Sequence, residues 1–323
     1  MEGRMMAATI KSPRNMVLEE VKIPRPKVDE VLVKVLFTGV CGSDLRTWEG
    51  THWWIENWPL PPGGYGHEGV GEVVEVGDEV KGIRVGDLVG NIGRTCFAQY
   101  TVAKNTHVIT GQDPEAMCLA GPISNALNIV DLTEAKPGET VVILGQGSIG
   151  LIATQLLTRI GVTVFATDVV ERRIRQSERY GAKAFDARER DWMDRIVREA
   201  GDVKAVVECS GSDGTLIPAC HIVGTAGTIV VYGCQGEMRL PYRPLRRKGV
   251  RIEFGTASVN MRKGIDFTDE AYSVLLEKKI DAKGMISAKV PLTQLPWVMA
   301  HYDREKWSKV LVQPNPMPSH ETI

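Results

Sequence analysis

The sequence lacks the features that would link it to a membrane, a polyanion or the secretory pathway. Its 39 Lys and Arg balance 40 Asp and Glu, so no excess of positive charge is present to hold nucleic acid. No apolar run approaches the roughly 18 residues that span a bilayer. The N-terminal Met1–Lys11 also lacks the apolar stretch of a secretory signal. We therefore expect a cytoplasmic protein with no membrane or nucleic-acid partner.

Cysteine is sparse and shows no paired spacing. Six cysteines are spread through 323 residues. Free thiols are therefore expected rather than a disulfide framework. At roughly 150 residues per domain, the length predicts about two domains with a substantial core.

Two kinds of patterning divide the chain. Short Val-rich runs separated by Gly, Pro and Asp, such as Glu30–Phe37 and Val70–Val76, predict antiparallel strands near the N-terminus. Beyond about Thr133, apolar strands alternate with helical patterns, which predicts a parallel sheet with helices on both faces. The predicted strands are Val141–Leu144, Thr163–Thr167, Ala205–Glu208, Thr228–Tyr232 and Arg251–Phe254.

After about Met261 the alternation stops. A helix over Phe267–Lys279 and a final strand over Lys309–Val312 are predicted there. We expect this segment to return to the first domain. The predicted organisation is a β-rich domain over 1–123, a doubly wound α/β domain over 124–261 and a returning segment over 262–323.

A G-x-G-x-x-G motif directly follows the first strand of the α/β region and predicts a dinucleotide site. Gly145 permits the tight turn, Gly147 lets the backbone approach a diphosphate, and Gly150 allows close packing of strand and helix. Ser148 and Ile149 lie inside the motif at the start of the helix, whose N–H groups would receive the diphosphate.

The next strand ends at Asp168, where a carboxylate can accept hydrogen bonds from the ribose hydroxyls of the cofactor. Because a carboxylate repels a 2′-phosphate, Asp168 favours NAD over NADP. Arg172 and Arg173 are close enough to keep NADP open, since guanidinium groups bind phosphate. We include Arg173 among the candidate cofactor-binding residues, although both arginines could simply be solvated helix charges.

Two short motifs together contain metal-ligating side chains. Cys41-Gly-Ser-Asp44 follows one predicted strand, and His67-Glu68 begins another. Cys41, His67 and Glu68 offer the S, N and O donors that suit Zn²⁺. Taken singly, they could also be a buried thiol, a hydrogen-bonding histidine and a strand-face charge.

With these motifs the sequence resembles the zinc-dependent medium-chain dehydrogenase/reductase superfamily, the alcohol and polyol dehydrogenases. The resemblance implies a GroES-like catalytic domain interrupted by a Rossmann domain, with the active site in the cleft between them. It rests on an ordered series of motifs: Pro24-x-Pro26, Cys41–Leu45, Gly66–Gly71, Gly86-Asp87, Phe97–Tyr100 and Gly145–Gly150.

The resemblance also implies residue roles. Cys41 and His67 would bind one catalytic zinc ion, and Glu68 would be a further or alternate ligand. Asp44 would orient the imidazole of His67. Ser43 would pass the substrate proton toward solvent.

On the cofactor side, the resemblance places Asn125 near the nicotinamide, with the backbone of Gly233 and Thr256 as candidates to bind its carboxamide. Lys309 lies in a terminal strand like that of the family, where it could approach the cofactor diphosphate, but we expect it at the surface.

Trp48 and Trp54 lie between the two metal motifs, in a loop that borders the substrate cleft in this family. They are either a stacking platform for the substrate or rings that anchor the loop on the core.

Three departures from the family pattern matter. Gly121 occupies a position where the family often has Cys or Glu, so the site would use three protein ligands and one water or substrate, hold metal weakly, or hold none. We favour the first, because three protein ligands and one open position is the usual catalytic arrangement. Arg46 replaces a relay histidine found in some members. The four-cysteine lobe that binds a structural zinc ion is absent, which makes Cys96 an ordinary thiol.

We therefore expect an oxidoreductase that uses zinc and NAD to interconvert a secondary alcohol and a ketone, the alcohol being a polyol, sugar or cyclitol. The alternatives are a zinc-free reductase of carbonyls or activated alkenes, and a non-catalytic nucleotide-binding protein. Family resemblance suggests a homodimer formed through edge strands of the Rossmann domain, with a tetramer as the alternative.

Overall fold

The computed structural model describes residues 3–52, 55, 57–233, 239–255 and 257–315. The strands, in chain order, are β1 (Arg4–Ser12), β2 (Asn15–Lys22), β3 (Val31–Gly39), β4 (Glu68–Val76), β5 (Leu88–Gly90), β6 (Tyr100–Ala103), β7 (His107–Val108), β8 (Thr140–Leu144), β9 (Thr163–Asp168), β10 (Lys183–Asp186), β11 (Val203–Glu208), β12 (Thr228–Val231), β13 (Arg251–Phe254), β14 (Val259–Asn260), β15 (Ile265–Asp266), β16 (Ile286–Pro291) and β17 (Lys309–Gln313).

The α-helices are α1 (Gly42–Glu49), α2 (Pro114–Met117), α3 (Ala120–Thr133), α4 (Ser148–Arg159), α5 (Glu171–Arg179), α6 (Trp192–Ala200), α7 (Leu216–Ile222), α8 (Tyr242–Lys248), α9 (Thr268–Leu276) and α10 (Leu295–Ala300). Within the described ranges, none of these helices is long and apolar enough to cross a bilayer.

The chain forms two compact units. The first combines residues 1–120 with 281–323, and the second comprises residues 121–280. This division differs from the expected ranges at residues 262–280, which group with the second unit. Contacts explain the grouping, because Lys263 pairs with Asp131 on α3 and strand β15 pairs with β14.

The first unit is built on a seven-stranded sheet with the order β16-β17-β3-β4-β5-β7, in which β6 also pairs with β3. The β3–β4 and β17–β3 pairings are antiparallel, as the Val-rich runs near the N-terminus predict for their own region. A separate two-stranded sheet joins β1 to β2. The C-terminal strand β17 therefore completes a sheet that begins near the N-terminus.

The second unit contains a six-stranded sheet with the order β10-β9-β8-β11-β12-β13, and all of its pairings are parallel. The strand order reverses after β10, so right-handed crossovers place α4 and α5 on one face and α7 and α8 on the other. The predicted doubly wound sheet is thus confirmed, and its switch point lies between β8 and β11.

The predicted strands of the parallel sheet are all present, with ends that shift by one or two residues. Strand β10 was not predicted. It lies at the edge of the sheet and only Phe185 in it is buried, so its sequence has no apolar run. The predicted helix over Phe267–Lys279 is observed as α9, and the terminal strand as β17.

Candidate active site

The Cys-Gly-Ser-Asp motif forms the start of helix α1. Cys41 is the N-cap residue, and a capping box links it to Asp44, whose Oδ2 accepts the Cys41 N–H at 2.7 Å. The thiol in turn accepts from the backbone N–H of Asp44. Ser43 lies half-buried in the first turn. The spacing of the motif is therefore that of a helix start, and the capping box holds the Cys41 thiol and the Asp44 carboxylate close together.

Glu68 begins strand β4 opposite Gly39, near the end of β3. A Cβ atom at Gly39 would lie 2.1 Å from Oε2 of Glu68, so the carboxylate occupies the space that a side chain there would fill. The antiparallel pairing also brings His67, just before β4, close to Cys41, just after β3. Sheet register thus brings together residues that are separated in sequence.

Cys41, His67 and Glu68 form a cluster of possible metal ligands in the described part of the chain. Their S, N and O donor atoms all lie within 4.8 Å of one another. Zinc accepts this mixture of donors, and three protein ligands with one open position is the usual catalytic arrangement. The donor set therefore fits a catalytic zinc ion.

The imidazole of His67 is oriented by two acceptors. Its Nδ1 lies 3.1 Å from the carbonyl oxygen of Tyr65, its hydrogen-bond partner, and 3.2 Å from Oδ1 of Asp44. Because both neighbours are acceptor oxygens, a hydrogen is favoured on Nδ1, and Nε2 is the nitrogen that can bind a metal ion. Burial opposes protonation of His67, but Asp44 and the Cys41 side chain together raise the pKa of the imidazole well above its ordinary value. A metal ion would therefore displace a proton from Nε2.

Lys309 is not at the surface, so that expectation is wrong. The side chain is buried in β17, where its Nζ pairs with Oε2 of Glu68 and also donates to the carbonyl of Val40 at 3.3 Å. Burial opposes the positive charge, yet the carboxylate of Glu68 raises the pKa of Lys309 above its ordinary value. A carboxylate has two oxygens, so Glu68 can accept the hydrogen bond from Lys309 and still bind a metal ion.

The other residues considered for this site fall in different places. Gly121 is the second residue of α3 and offers no side-chain donor. Trp48 packs partly buried against the apolar core of the first unit, the position expected of an anchoring ring. Trp54 lies outside the described residues. Cys96 is buried, which raises the pKa of its thiol to about 12.

The glycine motif forms the turn from β8 to α4. Gly145 has a φ of 97°, a conformation that favours glycine, and Gly147 is the N-cap of α4. A Cβ atom at Gly150 would lie 2.1 Å from the carbonyl oxygen of Gly145, which explains the third glycine. Ser148 and Ile149 are the first two residues of α4. The backbone thus has the form of a diphosphate-binding turn.

Asp168 ends strand β9 beside this turn. Its Oδ2 accepts the N–H of Gln146 at 2.7 Å, and its Oδ1 accepts the N–H of Val170 at 2.8 Å. The guanidinium Nη1 of Arg173 lies 3.7 Å from the same Oδ2. The structure therefore brings Asp168 and Arg173 together at the turn predicted to hold the cofactor.

The remaining cofactor candidates lie elsewhere in the second unit. Asn125 is half-buried on α3. Gly233 follows β12. Its N–H donates to two atoms of Glu208, the carbonyl oxygen at 3.0 Å and Oε2 at 3.1 Å. A contact between Gly233 and a carboxamide would therefore involve the Gly233 carbonyl. Thr256 lies outside the described residues.

Sequence reasoning did not single out Glu208, a buried carboxylate at the end of β11. The available signal was a charged residue closing an apolar parallel strand, a position where its charge must be compensated. Lys309 gave the same signal at the start of the apolar run Val310–Val312.

Two family models match the chain. Residues 27–122 match the alcohol dehydrogenase GroES-like domain, and residues 148–270 match the zinc-binding dehydrogenase domain. The matches agree with the GroES-like and Rossmann-like domains that the resemblance implied.

Individual proteins are similar over most of the chain. An uncharacterised zinc-type alcohol dehydrogenase-like protein of Escherichia coli K12 is 30% identical over 279 residues, which cover 75% of this chain and 80% of the relative. A sorbitol dehydrogenase of Halalkalibacterium halodurans is 27% identical, covering 89% of this chain and 92% of the relative.

A solved structure from Sinorhizobium meliloti 1021, described as a zinc-binding dehydrogenase bound to NADP, superposes with a TM-score of 0.86. It shares 28% identity and covers 97% of this chain and 100% of its own. The chain belongs to the zinc-dependent medium-chain dehydrogenase/reductase superfamily, whose members are oxidoreductases that use a nicotinamide cofactor.

The buried pair at the metal site leads to a stability prediction. Lys309→Met should lower the free energy of unfolding by about 3 kcal/mol, because it leaves the Glu68 carboxylate buried without its counter-charge. Adding Glu68→Gln should recover part of the loss. Urea unfolding in the presence of EDTA measures the free energy of unfolding of the wild type, Lys309→Met and the double variant.

The matched control is Lys306→Met, which removes an exposed lysine paired with Asp303 and should change stability by no more than about 0.5 kcal/mol. A double variant that is no more stable than Lys309→Met would contradict the coupling of Glu68 and Lys309.

Proposed function

We propose that the protein is a zinc- and NAD-dependent dehydrogenase that transfers a hydride between NAD(H) and a secondary alcohol or ketone. The observation that carries the proposal is the convergence of Cys41, His67 and Glu68, with Asp44 behind the imidazole. A reductase without zinc would have no use for three converging donors and an oriented histidine.

The residues of the metal site have separable tasks. Cys41, His67 and Glu68 would hold the metal ion, which when bound supplies Lewis-acid stabilisation of the substrate oxygen. Asp44 keeps the hydrogen on Nδ1 of His67. Ser43, in the first turn of α1, offers a hydroxyl that can accept the substrate proton and pass it on.

The substrate class that we propose is a polyol, sugar or cyclitol. Sorbitol dehydrogenases of Halalkalibacterium halodurans and Bacillus subtilis are similar to this chain at 27% and 28% identity. The resemblance also implies that the glutamate beside the histidine binds zinc directly in polyol-type members of the family, and Glu68 occupies that position here. A panel of alcohols, polyols, sugars and cyclitols tests the substrate class.

Asp168 supports NAD as the preferred cofactor. Its carboxylate is buried at the end of β9 and would repel a 2′-phosphate, whereas ribose hydroxyls could donate to it. Nη1 of Arg173 lies 3.7 Å from Oδ2 of Asp168 and partly compensates its negative charge. The proposed preference for NAD therefore depends on the Asp168 carboxylate.

Metal analysis tests the zinc proposal. Freshly purified protein should contain about one zinc ion per chain, and Cys41→Ala should lose the zinc together with at least about 99% of its turnover. Cys96→Ala removes a buried thiol that is not a proposed ligand, and it should retain both zinc and turnover.

Full turnover in protein that contains no zinc, with no effect of Cys41→Ala, would contradict the zinc proposal and favour the zinc-free reductase. The lack of a donor at Gly121 is the observation that keeps this second candidate open.

Cofactor kinetics test the role of Asp168. The wild type should show the higher kcat/KM with NAD, and Asp168→Ser should shift the NAD-to-NADP ratio by at least about tenfold toward NADP, because the repulsion is removed while Arg173 stays. Glu171→Gln changes an exposed carboxylate on α5 and should leave the ratio unchanged. A wild type that prefers NADP would refute the proposal.

A further inference from the structure

Glu208 is buried at the end of β11, and donors surround both of its carboxylate oxygens. Oε1 accepts from the N–H of Ser210 at 2.8 Å, the hydroxyl of Thr215 at 2.9 Å and the N–H of Gly211 at 3.2 Å, as well as from the hydroxyl of Ser210. Oε2 accepts the N–H of Gly233 at 3.1 Å. The carboxylate therefore binds both the loop after β11 and Gly233, two residues after the end of β12.

The loop held by Glu208 packs tightly against the glycine turn. A Cβ atom at Gly145 would lie 2.6 Å from Cα of Ser210, and one at Gly233 would lie 2.5 Å from the backbone nitrogen of Gly211. The ends of β8, β11 and β12 thus meet without room for a side chain. A small displacement of the loop after β11 would be transmitted directly to the turn after β8.

The chemistry of the cluster requires a carboxylate. Each group that reaches Glu208 is an N–H or O–H donor, and such donors offset the cost of burying the negative charge. A neutral amide in its place would keep one oxygen for the donors at Oε1 but would direct its NH₂ group at the N–H of Gly233, where a donor faces a donor. The negative charge is therefore fitted to the loop geometry.

Sheet order assigns the cluster to one end of the cofactor. The strands lie side by side in the order β9-β8-β11-β12, and the glycine turn follows β8. Asp168 therefore ends the neighbouring strand on one side of β8, and Glu208 ends the neighbouring strand on the other side. A dinucleotide whose diphosphate rests at the start of α4 has its two nucleosides on opposite sides of that turn. With adenosine at Asp168, the nicotinamide half faces the loops that Glu208 holds.

We propose that Glu208 is a positioning residue for the nicotinamide half of the cofactor. It acts through the backbone of Ser210, Gly211 and Gly233, which it fixes against the Gly145 turn. The inference rests on the proposed function only in requiring that the protein bind a nicotinamide dinucleotide.

The test compares binding of the two halves. Glu208→Gln should weaken NADH binding by at least about tenfold, because it removes the negative charge and sets an NH₂ group against the N–H of Gly233. Its affinity for ADP, which lacks the nicotinamide nucleoside, should stay within about twofold of the wild type. Fluorescence titration measures NADH, and calorimetry measures ADP, neither of which depends on turnover.

Two further variants keep the test decisive. Glu134→Gln makes the same chemical change at an exposed ion pair of the same unit and should bind both ligands normally. Ser210→Ala combined with Thr215→Val keeps the carboxylate and removes two hydroxyl donors, so it should weaken NADH binding to a smaller degree with ADP binding unchanged. It replaces Glu208→Gln as the deciding variant if that protein does not fold.

Unchanged NADH binding in the deciding variant would overturn the positioning role. Parallel loss of NADH and ADP binding would also overturn it, since a purely structural role affects both halves. Failure of the wild type to bind NADH or NADPH would instead refute the proposed function.

Discussion

Glu68 and Lys309 are separated by 241 positions in the sequence and form an ion pair with almost no access to water. Neither charge could be buried alone without a large cost in free energy. The carboxylate lies on β4 and the ammonium on β17, and β17 pairs with β3. The candidate ligand Glu68 is therefore compensated only when the C-terminal strand has joined the sheet. This single pair makes the metal centre depend on both sequence segments of the first unit.

The second unit buries its charges by a different means. Asp168 and Glu208 end β9 and β11, the two strands that flank β8 in the parallel sheet. Backbone N–H groups of the adjoining loops supply most of their hydrogen-bond partners. Because these donors belong to loops, each carboxylate also determines loop shape. Compensation by a distant cation holds a ligand in place in the first unit, whereas compensation by local amides shapes the nucleotide-binding edge in the second.

Much of this architecture could be predicted from the sequence because its signals are local. Apolar runs identified β8, β11 and β12, and the spacing of Cys41 and Asp44 follows from the start of a helix. Strand β10 escaped because a short edge strand needs few apolar residues. Its position is determined by pairing with β9 rather than by its own composition.

The buried charges could not be located in the same way. Periodicity reports which face of an element is apolar, but it does not report which distant residue will compensate a charge. Lys309 was expected at the surface because lysine usually lies there, and its partner is in another segment of the chain. Glu208 was assigned only to a strand, since its donors come from loops whose conformation no short pattern specifies.

The position of Gly121 gives the metal site a particular organisation. Gly121 has no side-chain donor, and the three donors that converge are residues 41, 67 and 68 of the first unit. The set is therefore complete within one folding unit, on the paired ends of β3 and β4. The glycine turn proposed to hold the cofactor is built wholly from residues of the second unit, so the proposed metal and cofactor sites have independent structural origins. The proposed hydride transfer requires both.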